Sequence, residues 1–133
     1  GDGADREKLE RIARGHDNIE VRGFVEDIES LVARSRAVIY APVQEDFGLV
    51  GAEALMAGKP LLGVNEGFTK YQVEEGVTGE LFEPNRESIR EVVQGFDSTK
   101  YDSDVIQQQA ERYSYESFQD GLWDVVAQTV TED

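Results

Sequence analysis

The chain has 133 residues, enough for one domain with a single hydrophobic core. Its 28 acidic residues against 13 basic ones give a net charge of −15, which argues against a nucleic-acid-binding surface and against docking to anionic lipid. The absence of cysteine excludes disulfides and cysteine catalysis, and one histidine, His16, does not make a zinc site.

The composition also bears on where the protein is located and on the kind of organism that it comes from. No stretch approaches the ~20 apolar residues of a membrane span and no apolar leader is visible, so we expect a soluble, cytoplasmic domain without direct membrane insertion. Lysine is scarce, the apolar fraction is 39% and acidic residues abound, a combination typical of a halophile's protein. The alternative is an acidic domain from a mesophile.

The first third of the chain predicts a helix, a short strand and a second helix. The helical pattern covers residues 4–14, the strand covers residues 19–22, and the second helix covers residues 27–35. His16 falls in the turn between the first helix and the strand, where we expect it to be exposed.

The central segment, residues 37–60, reads AVIYAPVQEDFGLVGAEALMAGKP and predicts a strand, a loop and a helix. Residues 37–40 form the apolar strand, and residues 49–57 form a helix that is followed by glycine and proline. This order places a loop at the carboxyl end of a parallel sheet. The amides of residues 48–50 would then lie at a helix N-terminus, where they suit a phosphate.

Two carboxylates flank this turn. Glu45 lies in the loop, Glu53 lies about one turn into the helix, and seven residues separate them. A carboxylate can accept hydrogen bonds from two neighbouring hydroxyls, so the pair suits a ligand with diols on both sides of a phosphate, such as a nucleotide-sugar. The alternative is that Glu53 complements the helix dipole and Glu45 is a solvated loop charge.

The rest of the chain predicts two more strands and three helices. Residues 61–64 form a buried strand whose exit loop, residues 65–71, lies at the same sheet edge as the Glu45 loop. In that loop Gly67 allows a close backbone approach to a ligand. Beyond it we predict a strand at residues 80–82 and helices at residues 86–96, 103–113 and 114–130. The apolar stripe of the last helix indicates core or domain-interface packing.

The central segment resembles the Glu-x7-Glu signature of retaining glycosyltransferases of family 4, the glycosyltransferase group 1 domain. That pattern is a proline, then Glu-x-Phe-Gly-Leu, then Glu-Ala-Met/Leu-Ala-x-Gly-x-Pro. Residues 73–79 are similar to the family's turn before a final strand. The matching positions of the signature are Pro42, Glu45, Phe47, Gly48, Leu49, Glu53, Ala54, Ala57, Gly58 and Pro60.

The resemblance implies an α/β fold, a Rossmann-like parallel sheet flanked by helices, as in the C-terminal half of a GT-B type glycosyltransferase. It implies that Glu45 contacts sugar hydroxyls of the donor and that Glu53 contacts the ribose. The loop at Phe47, Gly48 and Leu49 would approach the donor sugar and phosphates.

Two further segments carry weaker implications. The backbone near Val25 resembles a family segment that borders the nucleobase, and plain packing is the equal alternative. Tyr71 stands where the family often has glutamate, which leaves donor specificity open. Lys70 is a candidate phosphate contact, the alternative being a solvated lysine.

The resemblance implies the donor-binding part of a glycosyltransferase that moves a hexose from a nucleotide-sugar to an acceptor with retention, without cofactor or metal. Residues 1–133 would be a single partial C-terminal domain, lacking its first strands and the N-terminal acceptor domain of the same full-length protein. We therefore expect this chain alone to be inactive. The alternatives are a non-catalytic nucleotide or sugar binding module, a structural domain with its last helix as an interface, and a sugar-nucleotide epimerase of similar two-domain build.

Overall fold

The computed structural model describes residues 2–131, and the chain divides into two compact units, Gly1–Leu31 and Val32–Asp133. The first unit contains helix α1 (Arg6–Ala13). The carboxylate of Asp2 pairs with the guanidinium of Arg6 and accepts a hydrogen bond from the amide of Phe24 at 3.1 Å. One carboxylate therefore ties the segment after the helix to the residues before it.

The strand predicted over residues 19–22 is wrong, because these residues lie outside any helix or strand. A strand needs a neighbour to complete its ladder of hydrogen bonds, and no strand forms among residues 2–31 to provide one. The helix predicted over residues 27–35 is present in a shorter form, α2 (Ile28–Ala33).

The second unit is built on a parallel sheet of three strands in the order β1 (Val38–Tyr40), β2 (Leu61–Val64), β3 (Gly79–Phe82). The central strand β2 is buried along its whole length. This burial explains why its sequence is a continuous apolar run rather than an alternating one.

Helices connect and cover the strands of this sheet. They are α3 (Leu49–Met56), α4 (Thr69–Gln72), α5 (Arg86–Gly95), α6 (Ser103–Ala110) and α7 (Tyr115–Thr131). Helix α4 lies where we predicted only a loop. The helix predicted over residues 103–113 ends three residues earlier, and a 3₁₀ turn at Glu111–Tyr113 replaces its last part.

Two hydrophobic clusters lie on opposite faces of the sheet. Leu61 of β2 packs with Leu55 of α3 and Ile106 of α6 on one face. Leu62, the next residue of β2, packs with Phe82 on the other face, against partly buried residues of α5. Successive strand residues point to opposite faces, so the apolar run of β2 serves both clusters. The predicted α/β fold, a Rossmann-like parallel sheet flanked by helices, is confirmed.

Helix α7 begins as predicted, because the hydroxyl of Ser114 accepts a hydrogen bond from the amide of Ser117 at 3.1 Å. Its apolar stripe is exposed, however, with 66% of Phe118 and 61% of Trp123 accessible to solvent. The stripe is therefore not part of the core formed by the described residues.

Candidate functional site

The turn between β1 and α3 bends sharply at two positions. Gln44 has φ of 57° and Gly48, at the N-cap position of α3, has φ of 77°. Gly48 is also enclosed, since a Cβ there would lie 3.1 Å from Cε1 of Tyr40 and 3.3 Å from Oε1 of Gln72. Both the backbone angle and the packing require glycine here.

The carboxylate of Glu45 is held by groups of its own turn. Its Oε2 accepts a hydrogen bond of 2.8 Å from the hydroxyl of Tyr40, and its Oε1 lies 3.5 Å from the amide nitrogen of Phe47, which donates to it. The second contact is long, so the hydroxyl is the main restraint on this side chain.

These contacts set the protonation states of the pair. The Tyr40 hydroxyl, helped by the Phe47 amide, holds the pKa of Glu45 below its usual range. Burial, together with the Glu45 carboxylate, raises the pKa of Tyr40 to about 12. At neutral pH the tyrosine therefore donates and the glutamate is an ionised acceptor.

Glu53 lies one turn into α3 and is exposed, between buried residues that face the sheet. No side chain among residues 2–131 donates a hydrogen bond to its carboxylate, which leaves both oxygens available to a ligand. Leu49 and Val50 begin α3, so their amides have no acceptor within the helix. The structure thus places two carboxylates and two helix-initial amides on one strand–turn–helix segment.

Gly67 packs against the turn that carries Glu45. A Cβ at Gly67, whose φ is 54°, would lie 2.7 Å from the carbonyl oxygen of Glu45, and the amide of Phe68 donates to the same oxygen at 3.3 Å. The group that lies close to Gly67 is therefore the backbone of Glu45. A contact between Gly67 and a ligand stays a prediction.

Lys70 lies in the short helix α4 and is exposed. Its ammonium group lies 5.0 Å from the centre of the Tyr71 ring, a cation–π arrangement. Tyr71 itself is 64% exposed. The cation predicted for phosphate binding is thus present at the exit of β2, and its role stays a prediction.

Gln72 is a residue that sequence reasoning missed. It is completely buried, and its Nε2 donates hydrogen bonds of 3.1 Å to the carbonyl oxygens of Phe47 and Gly48. One side chain of α4 therefore fixes the turn after β1. Thr69 and Gln72 lie one helical turn apart and are both fully buried, so they form the buried face of α4.

Phe47, in the turn, packs against two other aromatic rings. The ring of Phe47 stacks on Phe68 with centroids 5.2 Å apart and meets the edge of Tyr113 at 5.9 Å. Arg112 donates to the carbonyl oxygens of Tyr71 and Gln72 at 3.2 and 3.1 Å. The segment before α7 is therefore anchored to the helix that holds the turn.

Two cavities adjoin this region of the second unit. One, of about 310 Å³, lies where all three strands end, with Pro42, Val64 and Phe82 in its wall. Open parallel sheets bind ligands at this edge. The other, of about 450 Å³, lies between Phe47 and the beginning of α7.

Val25, the predicted nucleobase neighbour, lies in the first unit and is half-buried there. Its role stays a prediction. Among residues 2–131, no three histidine or acidic residues are grouped so as to hold a metal ion. In the same part of the chain no helix is long and apolar enough to cross a membrane.

Comparison with known families decides the class of protein. The sequence profile of the family described as Glycosyl transferases group 1 matches residues 1–117. The chain belongs to this family. The strand, turn and helix that carry Glu45 and Glu53 lie within the matched residues.

The relatives of this group 1 glycosyl transferase domain include enzymes that act on sugars. The alpha-1,3/1,6-mannosyltransferase alg-2 of Neurospora crassa is 40% identical over 57 residues, 43% of this chain and 12% of the relative. The alpha-1,3/1,6-mannosyltransferase ALG2 of Homo sapiens is 34% identical over 67 residues, 50% of this chain and 16% of the relative. The trehalose synthase of Pyrococcus horikoshii is 30% identical, with the same coverage of both chains.

The matches to these relatives cover between 39% and 50% of this chain. The matched segments span between 10% and 16% of their lengths.

Proposed function

We propose that the chain is the donor-binding part of a retaining family 4 glycosyltransferase of GT-B type, which moves a hexose from a nucleotide-sugar to an acceptor. One observation carries the proposal: the Glu45 carboxylate is held ionised in the turn between β1 and α3, at the carboxyl edge of a parallel sheet. That edge is where open α/β sheets bind nucleotides.

The two carboxylates have different tasks in this proposal. Glu45 accepts hydrogen bonds from hydroxyls of the donor sugar, and Glu53, with both oxygens uncommitted, accepts those of the ribose. The amides that begin α3, at Leu49 and Val50, face the charge of the phosphates. Phe47 borders the sugar through its backbone.

Two further residues of the second unit complete the proposed donor site there, and the role proposed for Val25 of the first unit rests on the family resemblance alone. Lys70 supplies positive charge for the phosphates, in a domain whose net charge is −15. Gly67 keeps the exit of β2 close to the turn and within reach of the donor. Val25 borders the nucleobase through its backbone.

The sugar and the rest of the protein are also part of the proposal. The names of the mannosyltransferase relatives make mannose the first hexose to test. The acceptor is held by another domain of the same full-length protein, since transfer requires both substrates in a closed cleft. The enzyme needs no cofactor or metal, this chain alone is inactive, and the acidic surface belongs to a cytoplasmic protein of a halophile.

The test measures binding by calorimetry on the full-length protein that contains this domain, with GDP-mannose, UDP-glucose and the free nucleotides. Glu53→Gln should weaken both nucleotide and nucleotide-sugar by about ten- to hundredfold, the worth of charge-assisted hydrogen bonds. Glu45→Gln should weaken only the nucleotide-sugar. The control is Glu87→Gln, an exposed carboxylate in the first turn of α5.

The outcomes separate the alternatives. Equal losses of nucleotide and nucleotide-sugar in the Glu45 variant contradict the division of tasks. Binding without transfer to any acceptor supports a binding module, and conversion of the donor sugar into its epimer supports an epimerase. No binding of either donor by the wild type overturns the proposed function.

A further inference from the structure

Tyr40 is the last residue of β1 and contacts the candidate site in two places. Its hydroxyl donates a hydrogen bond of 2.8 Å to Oε2 of Glu45. Its ring lies against Gly48, where a Cβ would come within 3.1 Å of Cε1. Tyr40 is half-buried and packs on the cluster that contains Leu55 and Leu61. The ring of Tyr40 therefore packs against the core while its hydroxyl binds the carboxylate of Glu45 in the turn.

The two oxygens of Glu45 are not equivalent in this arrangement. Oε2 accepts a short hydrogen bond from a hydroxyl, whereas the hydrogen bond that Oε1 accepts from the Phe47 amide is long, at 3.5 Å. The amides of Asp46 and Gly48 also contribute, as weaker influences, to lowering the pKa of this carboxyl. A carboxylate oxygen can accept more than one hydrogen bond, and an oxygen with a weak partner is the one that a ligand hydroxyl recruits at least cost.

A glutamate side chain without such a restraint samples several rotamers, and binding a ligand would have to fix them. A hydrogen bond already made in the free protein removes that cost. The backbone around Glu45 is fixed as well, since the amide of Phe68 donates to its carbonyl oxygen and Gln72 holds the two residues that follow Asp46. The hydroxyl of Tyr40 completes this support by fixing the side chain.

We propose that Tyr40 is a positioning residue, whose hydroxyl fixes Glu45 through Oε2 and leaves Oε1 to accept a hydroxyl of the donor sugar. This inference rests on the proposed function of Glu45 as the donor-sugar contact. It predicts that Tyr40 affects the sugar part of the donor and not the nucleotide, although it touches neither.

The test uses Tyr40→Phe in the full-length protein, with a matched control in Tyr101→Phe. Tyr101 is also half-buried and also donates its hydroxyl to a carboxylate, that of Glu80. The probes are GDP-mannose or UDP-glucose, whichever the wild type binds more tightly, and the corresponding nucleoside diphosphate. We expect Tyr40→Phe to weaken nucleotide-sugar binding about tenfold and nucleotide binding less than twofold, and Tyr101→Phe to change neither.

A double variant distinguishes positioning from a structural role. In the Glu45→Gln background, Tyr40→Phe should add less than a twofold further loss, because the group that it positions has already been changed. Equal weakening of nucleotide and nucleotide-sugar by Tyr40→Phe, or a full tenfold further loss in the Glu45→Gln background, overturns the inference. Thermal melting of each variant shows that the losses are measured on folded protein.

The inference and the proposed function fail in different ways. If Glu45→Gln weakens nucleotide-sugar selectively and Tyr40→Phe does not, the positioning role is wrong and the donor site stands. If Glu45→Gln changes nothing, or the wild type binds neither donor, both are wrong.

Discussion

Two tyrosine–glutamate pairs in the second unit use the same hydrogen bond in different settings. Tyr40 and Glu45 are five residues apart on one turn, whereas Tyr101 and Glu80 are 21 residues apart and join the segment before α6 to β3. Burial raises the pKa of both tyrosines. Tyr101 also stacks on Phe96, with centroids 5.5 Å apart.

The two pairs differ in the groups that surround the carboxylate and in its capacity to accept a further hydrogen bond from a ligand. The pair of Tyr101 links two distant segments around an aromatic contact, which is what a fold-stabilising bond does. The pair of Tyr40 lies beside a left-handed glycine, Gly48, and beside the helix-initial amides of α3. The hydrogen bond that Oε1 of Glu45 accepts from the Phe47 amide is long, at 3.5 Å. The same tyrosine–glutamate hydrogen bond therefore lies beside groups that suit a ligand in the Tyr40 pair and beside an aromatic contact in the Tyr101 pair.

The largest effect should come from Gly48→Ala, which disturbs the Tyr40 pair through the backbone. The added methyl group meets the Tyr40 ring at 3.1 Å and the φ of 77° is strained for alanine, so we expect the free energy of unfolding to fall by about 1–3 kcal/mol. Nucleotide-sugar affinity should fall with it. Denaturant titration and calorimetry on the full-length protein measure both.

The control for this variant is Gly95→Ala, at the end of α5. A Cβ at Gly95 meets nothing within 4 Å, and the helical backbone suits alanine. We expect it to leave binding unchanged and to raise stability slightly, by about 0.5 kcal/mol. Equal stability of the two alanine variants would contradict the strain assigned to the turn.

The sheet and the helix α3 were predictable because their signals are local. The apolar runs of β1 and β2 are continuous, and the glycine and proline that follow α3 mark its end. The strand at residues 19–22 was predicted wrongly because local propensity does not say whether a pairing partner exists. Helix α4 is not apparent from the sequence because a helix of one turn is too short to show a periodic pattern.

The two carboxylates proposed as hydrogen-bond acceptors are apparent from the sequence, and their roles stay predictions, whereas the side chains that hold their turn in place are not apparent. Glu45 and Glu53 stand out by motif and spacing. The sequence places Tyr40 in a strand, and the hydrogen bond of its hydroxyl depends on how the following turn folds back. Gln72 binds backbone carbonyls 24 and 25 residues away, and such a contact leaves no periodic mark in the sequence.

Gln72 of α4 supports the backbone of the turn that carries Glu45, and its contribution can be measured separately from that of Tyr40. Gln72→Glu replaces a donating amide by a group that has no proton for the carbonyl oxygens of Phe47 and Gly48 when ionised. We expect a loss of about 1–3 kcal/mol in stability and weaker nucleotide-sugar binding. Gln94→Glu, on the exposed side of α5, is the control. Unchanged stability in the Gln72 variant would show that α4 does not hold the turn.

The pH dependence of nucleotide-sugar binding should distinguish the Tyr40 pair from the Tyr101 pair. Because the pKa of Glu45 is lowered, chiefly by the Tyr40 hydroxyl, its carboxylate stays ionised below the ordinary glutamate pKa of about 4.3. Nucleotide-sugar affinity should persist through that range and fall only as pH drops through the lowered pKa. Tyr40→Phe should move the fall to higher pH, and Tyr101→Phe should leave it in place. The same midpoint in wild type and Tyr40→Phe would show that the hydroxyl does not set this pKa.

The smallest expected difference between the pairs is in their response to salt. The domain has a net charge of −15, so screening of its self-repulsion should raise the melting temperature of the full-length protein as KCl increases towards molar concentration. Both tyrosine pairs join a neutral hydroxyl to one charge, which salt screens less than an ion pair of two charges. The melting temperatures of Tyr40→Phe and Tyr101→Phe should therefore rise in parallel with that of the wild type. A wild-type melting temperature that does not change with KCl would count against a halophilic origin. A variant whose loss of melting temperature disappears in high salt would show that its tyrosine–glutamate pair acts through long-range charge.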